Sequence, residues 1–119
     1  MKKNVVKDKS LAFAIRVVRL NQLLVSEKRE YVMSKQILRS GTSVGAMVRE
    51  AEFAESKTDF IHKLAIAQKE INETLYWLEL LQKTDYLNQK EYNSMVADAA
   101  ELIKRLTSII KTSKSRIKQ

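Results

Sequence analysis

The chain has 119 residues, 22 Lys and Arg against 14 Asp and Glu, one His, two Gly and neither Pro nor Cys. That length fits one domain, and the lack of Cys excludes a disulfide framework, a thiolate metal site and a cysteine nucleophile. The 45% hydrophobic content is enough for a packed core. The longest apolar run, residues 11–15, is far short of the ~20 residues that span a bilayer. No apolar stretch follows Met1-Lys2-Lys3-Asn4 as a signal peptide would require. The expectation is therefore a soluble, cytoplasmic protein.

Four segments carry helical spacing, and strand alternation is weak throughout. The first covers residues 8–25, with Leu11, Ile15, Val18 and Val25 as its stripe and Ala14, Val17, Leu20 and Leu24 widening it. The polar run Ser26-Glu27-Lys28-Arg29 reads as a link. The second covers residues 30–54, with Met33, Ile37, Val44, Val48 and Ala51 as its stripe. Both glycines of the chain, Gly41 and Gly45, fall in its middle. Either the helix breaks there, or small residues admit a neighbouring backbone.

The third covers residues 57–83. Ser56-Lys57-Thr58-Asp59 reads as a capping box, and Phe60, Leu64, Ala67, Ile71, Leu75, Leu78 and Leu81 form the stripe. Residues 75–81 contain one charge, so apolar side chains point nearly all round the helix. Contact with a second subunit would account for that. The fourth covers residues 89–111, opened by Asn88-Gln89-Lys90-Glu91 and striped by Tyr92, Val96, Ala99, Ile103, Leu106 and Ile110. Four helices with short links imply an all-α, antiparallel up-down four-helix bundle. It forms a single domain over residues 1–119, with basic tails at about 1–8 and 112–119.

The charge is concentrated at the ends. Lys2, Lys3, Lys7 and Lys9 stand against Asp8 alone, and Lys104, Arg105, Lys111, Lys114, Arg116 and Lys118 face no acid after Glu101. Lys2, Lys3, Lys7 and those six are the candidates for contact with the phosphates of RNA or DNA.

Catalytic and metal chemistry find little support. A di-iron bundle needs Glu-x-x-His on two facing helices, and the chain offers only Asp59 with His62. Ser40, Thr42 and Ser43 have no local His to activate them, so bonding back to the helix is their expected role. The expectation is a non-enzymatic chain with no metal and no cofactor. Phe13, Phe60 and Trp77 are expected in the core. Tyr31, Tyr86 and Tyr92, near helix ends, could stack on bases.

The run Gln36-Ile37-Leu38-Arg39-Ser40-Gly41-Thr42-Ser43-Val44-Gly45-Ala46, with Arg49-Glu50-Ala51 behind it, resembles the signature of a bacterial four-helix-bundle family. So do Asp59-Phe60 and the segment Glu73-Thr74-Leu75-Tyr76-Trp77-Leu78. These are the proteins encoded in intervening sequences of some 23S rRNA genes. The accessory variability determinant of diversity-generating retroelements is a relative. The family usually has Asn where this chain has Met47, and often Gly where it has Ala51.

The resemblance implies a homopentameric ring and a second helix continuous through both glycines. It assigns helix packing to Gln36, Arg39, Ser40, Gly41, Thr42, Ser43, Gly45, Glu50, Asp59, Phe60, Glu73, Tyr76 and Trp77. It further implies association with RNA or DNA, or recruitment of a protein partner such as a reverse transcriptase. Arg39 and Arg49 are expected either to pair with an acid such as Glu50 or Glu73 or to meet nucleic acid.

Overall fold

The computed structural model describes residues 4–118, which form four α-helices. They are α1 (Val5–Ser26), α2 (Met33–Glu52), α3 (Lys57–Lys83) and α4 (Gln89–Lys118). Cross-helix contacts give the directions. Lys7 meets Glu52 while Asn21 meets the Ser34 carbonyl, so α1 and α2 are antiparallel. Arg39 with Glu70 and Lys63 with Glu50 reverse α3 against α2. Lys9 with Glu101 and Arg16 with Asp98 reverse α4 against α1. The result is the expected four-helix bundle. α2 packs closely on both α1 and α3, α3 also packs on α4, and α1 and α4 meet along the thinnest seam.

The helix ends follow local chemistry. Asn4 caps α1 by accepting the Lys7 N–H at 3.0 Å, which starts the helix at Val5. Ser56 caps α3 by accepting the Asp59 N–H, but Asp59 reaches back to the Glu55 N–H, one residue before the cap, so only the Ser56 half of the expected box forms. Asn88 accepts the Glu91 N–H at 2.8 Å and opens α4. α3 ends with Asp85 at φ 68°, while the Tyr86 N–H bonds the Leu81 carbonyl and the Asp85 N–H that of Gln82. That is a Schellman stop, made with an Asp in the left-handed position where Gly is usual.

Besides the start of α1 at Val5 rather than at residue 8, two boundaries differ from expectation by three residues or more. α2 starts at Met33 rather than at Glu30, because the Glu30 side chain is its cap. Glu30 accepts the N–H groups of Val32, Met33 and Ser34 at 3.2, 3.1 and 2.7 Å. α4 runs on to Lys118 rather than stopping at Lys111. Residues 112–118 hold neither Gly nor Pro, and their cations suit the negative end of a helix dipole.

The core draws on all four helices through Phe13, Val17, Leu24, Ile37, Val44, Ala67, Ile71, Leu78, Leu81, Ala99, Leu102 and Leu106, all almost fully buried. α2 passes unbroken through Gly41 and Gly45. A Cβ at Gly41 would lie 2.7 Å from a Val17 methyl group, so the missing side chain admits α1. A Cβ at Gly45 would lie no nearer than 3.5 Å, at the Ser10 backbone, which is an ordinary contact.

The stripe expected on α1 is corrected. Leu11, Ile15, Val18 and Val25 are 47, 48, 36 and 37% exposed, and the buried side is Val6, Ser10, Phe13, Val17, Leu20 and Leu24. Leu11 and Phe13 point about 200° apart at 100° per residue. The helix thus has two apolar faces, and the bundle uses one. On α4 the centre of the buried stripe is Met95 and Leu102, and Tyr92, Val96 and Ile103 flank it. In residues 75–81 Leu78 and Leu81 are buried, Leu75, Trp77 and Leu80 are half-buried, and Tyr76 stands 56% exposed. The chain's own bundle therefore covers most of that apolar surplus.

Candidate nucleic-acid interface

The basic candidates divide by their surroundings. Lys2 and Lys3 lie outside the described residues. Lys7 is drawn to Glu52 at 3.4 Å. Arg105 reaches back one turn to Glu101 at 3.5 Å, and its Nε is buried without a partner. Glu101 also receives Lys9 at 2.9 Å. The Lys9 hydrogen bond first, then the charges of Lys9 and Arg105, hold the Glu101 carboxyl below its ordinary range. Lys7, Lys9 and Arg105 thus have acids beside them.

Lys104, Lys111, Lys114 and Arg116 stand exposed on α4, and Lys118 is its last residue. None of the first four has an acid partner among the described residues. Lys104 and Lys111, seven residues apart, fall within about 20° of each other, and Lys114 lies about 60° further round. Arg105 and Arg116 sit on the other flank, about 100° to 120° from Lys104. The second half of α4 is therefore a helix with cations on two flanks and no carboxylate of its own.

The signature residues have mixed surroundings. Ser40 is fully buried, and its hydroxyl lies 2.9 Å from that of Thr74, whose Oγ1 also bonds the Glu70 carbonyl at 2.8 Å. This couples α2 to α3 through the core. Thr42 and Ser43 bond back to the carbonyls of Leu38 and Arg39, as hydroxyls in a helix do. Gln36 is half-buried.

Arg39 bridges Glu70 and Glu73 on α3, and the Trp77 Nε1–H donates to Glu73 at 2.9 Å. Its side chain stays 49% exposed. The Trp77 bond first, then Arg39, lower the Glu73 carboxyl against the effect of burial. Tyr76 lies edge-on to Trp77, with ring centroids 5.0 Å apart. Glu50 pairs with Lys63 rather than with either arginine, and Arg49 is exposed. His62 is exposed beside the cap made by Asp59.

Phe13 is 1% exposed, Phe60 and Trp77 are half-buried, and Tyr31 is 58% exposed while Tyr86 and Tyr92 are half-buried. Among the described residues no three His, Asp or Glu side chains converge as metal ligands. No helix there is long and apolar enough to cross a membrane.

The model of the family described as 23S rRNA-intervening sequence protein matches residues 2–108. The chain belongs to that family. It is also similar to a crystal structure from Bacteroides thetaiotaomicron VPI-5482, of a protein with unknown function from the S23 ribosomal protein family. The two share 62% identity and superpose with a TM-score of 0.89, over 90% of this chain and 99% of the other. No curated protein matches the sequence.

Sequence reasoning missed two features, one at each end of the bundle. Lys57 and Arg116, far apart in the chain, line one cleft, and nothing in their spacing signals it. The Glu30 cap had a legible signal, an acid three residues before the first helical turn.

Proposed function

We propose that this member of the 23S rRNA-intervening sequence protein family is a non-enzymatic homo-oligomer that associates with RNA. The observation that carries the reading is the second half of α4, where Lys104, Lys111, Lys114 and Arg116 stand exposed with no acid after Glu101. A rigid helix bearing spaced cations suits backbone phosphates, whose condensed counterions are released on contact. No base-reading signature accompanies it, so the reading is of phosphate and shape contact.

Self-association has its own support. Leu11, Ile15 and Val18 expose an apolar strip on α1, and a second copy would take it out of water. A ring of five, the arrangement implied by the family resemblance, would repeat each basic helix around one axis.

The test is binding of a structured RNA across a salt series by wild type and by the Lys104→Glu/Lys111→Glu/Lys114→Glu variant. Micromolar or tighter binding that weakens steeply with salt, and weakens further in the variant, supports the reading. No binding at low salt overturns it.

A further inference from the structure

We propose that the cleft between the first turn of α3 and the last turns of α4 takes one nucleotide of a single-stranded RNA. In this assignment Lys57 and Arg116 hold the phosphate and Phe60 lies against the base. The proposal rests on the RNA reading above and gives it a specific site.

The cleft exists because α4 outruns its neighbour. Lys9 is level with Glu101 across the α1–α4 seam. The antiparallel run then sets Val5 level with about Arg105. From Ser108 onward α4 extends past the described start of α1 and, among the described residues, keeps only α3 beside it. The space left has a volume of about 400 Å³ and is lined by Lys57, Phe60, Ser108, Thr112, Ser113 and Arg116, together with Ile109. That is the size of a small-ligand site.

Its chemistry is one-sided. No carboxylate lines it, and neither Lys57 nor Arg116 has an ion-pair partner among the described residues. Three hydroxyls add short donors beside the cations. Phe60 and Ile109, both half-buried, supply an apolar wall. Two other clefts among the described residues lack this bias. The one holding Arg49 and Lys63 also holds Glu50, Glu55 and Asp59, and the groove with Arg16 and Arg19 holds Glu91. An anion with an apolar planar body fits the first cleft and is repelled by the carboxylates of the others.

A nucleotide is such a body. Its base reaches an aromatic wall only when unstacked, which selects a single strand over a duplex. An arginine flanking the phosphate can hold two oxygens at once, and the lysine adds a point charge.

The experiment measures affinity of the full-length protein for a fluorescein-labelled ten-nucleotide oligouridylate and for a duplex of equal length. Lys57→Glu/Arg116→Glu is compared with Lys104→Glu/Lys111→Glu, which makes the same charge change away from the cleft. Circular dichroism confirms that each variant folds. The cleft variant is expected to lose at least about tenfold for the single strand, more than the control loses. Phe60→Leu is expected to lose about fivefold or more for the oligouridylate. In amide spectra, added uridine monophosphate is expected to shift the signals of Lys57 and of Ser108 to Arg116.

Equal losses in the two double variants, or tighter binding of the duplex, would overturn the assignment. If wild type binds RNA and the cleft variant binds equally well, the cleft fails while the RNA reading stands. If wild type binds no RNA, the broader reading fails and takes the cleft with it.

Discussion

Val17 of α1 packs into the space where Gly41 of α2 has no side chain, with both of its methyl carbons within 2.8 Å of where a Cβ would stand. Gly41→Ala would gain up to about 1 kcal/mol in helix propensity. It would also force a β-branched, fully buried neighbour to move, at about 1–3 kcal/mol. The net expectation is a loss of about 1–2 kcal/mol in urea unfolding. Gly45→Ala meets only ordinary contacts, so it should stabilise by up to about 1 kcal/mol. A Val17→Ala background should turn Gly41→Ala from harmful to neutral or favourable. If both alanines behave alike, the close approach is not what Gly41 provides.

Glu30 should govern the acid stability of the start of α2. Burial raises its carboxyl, but N–H bonds from Ser34, Met33 and Val32 outweigh this and leave it below the ordinary value. A lowered folded value stabilises at neutral pH, and that contribution is lost as pH falls through it. Glu30→Gln should cost about 1–2 kcal/mol near pH 7. The gap to wild type should shrink in acid. A pH-independent gap in urea midpoints would refute the assignment.

Trp77 offers an optical reading of Glu73. The indole N–H and Arg39 both hold this carboxyl in its charged form. Tryptophan emission should shift as pH falls below the ordinary carboxylate range, and Glu73→Gln should remove the shift. The stability effect should stay below about 1 kcal/mol, since Arg39 and Glu73 are 49 and 36% exposed. A titration unchanged by Glu73→Gln would assign the signal elsewhere.

On the proposed reading, the open face of α1 should carry the contact between copies. Wild type should show a solution mass near five times the 13.8 kDa chain. Leu11→Lys/Ile15→Lys should give a single-chain mass at unchanged helical ellipticity, because both side chains already face outward. A wild-type monomer at micromolar concentration would rule out the ring. A variant still assembled would place the contact on another face.

The helices were legible to different degrees, for physical reasons. α3 runs over residues 57–83 as expected, because the Ser56 cap opens it. The start of α4 was legible through Asn88 in the same way. Its end was not, since basic residues read equally as a loose tail or as a helix C-terminus.

The rotation of α1 was not legible either. Leu11, Ile15 and Val18 repeat as regularly as Phe13, Val17 and Leu20, and the close fit of Val17 on Gly41, which belongs to the buried face, cannot be read from that spacing. The basic candidates on α4 could be named one by one. The pairing of Arg105 with Glu101, one turn back on the same helix, was legible in the spacing, whereas the burial of its Nε was not.

The thin seam between α1 and α4 has a further consequence. Three of the four helix contacts are broad, and this one is clasped by half-exposed pairs, Lys9 with Glu101 and Arg16 with Asp98. Such pairs contribute little and are screened by salt. The α1–α2 and α3–α4 hairpins are thus hinged along a tight α2–α3 spine and latched weakly on the far side. Amide hydrogens of α1 and α4 along that seam should exchange through local opening before the spine does, and faster as ionic strength rises.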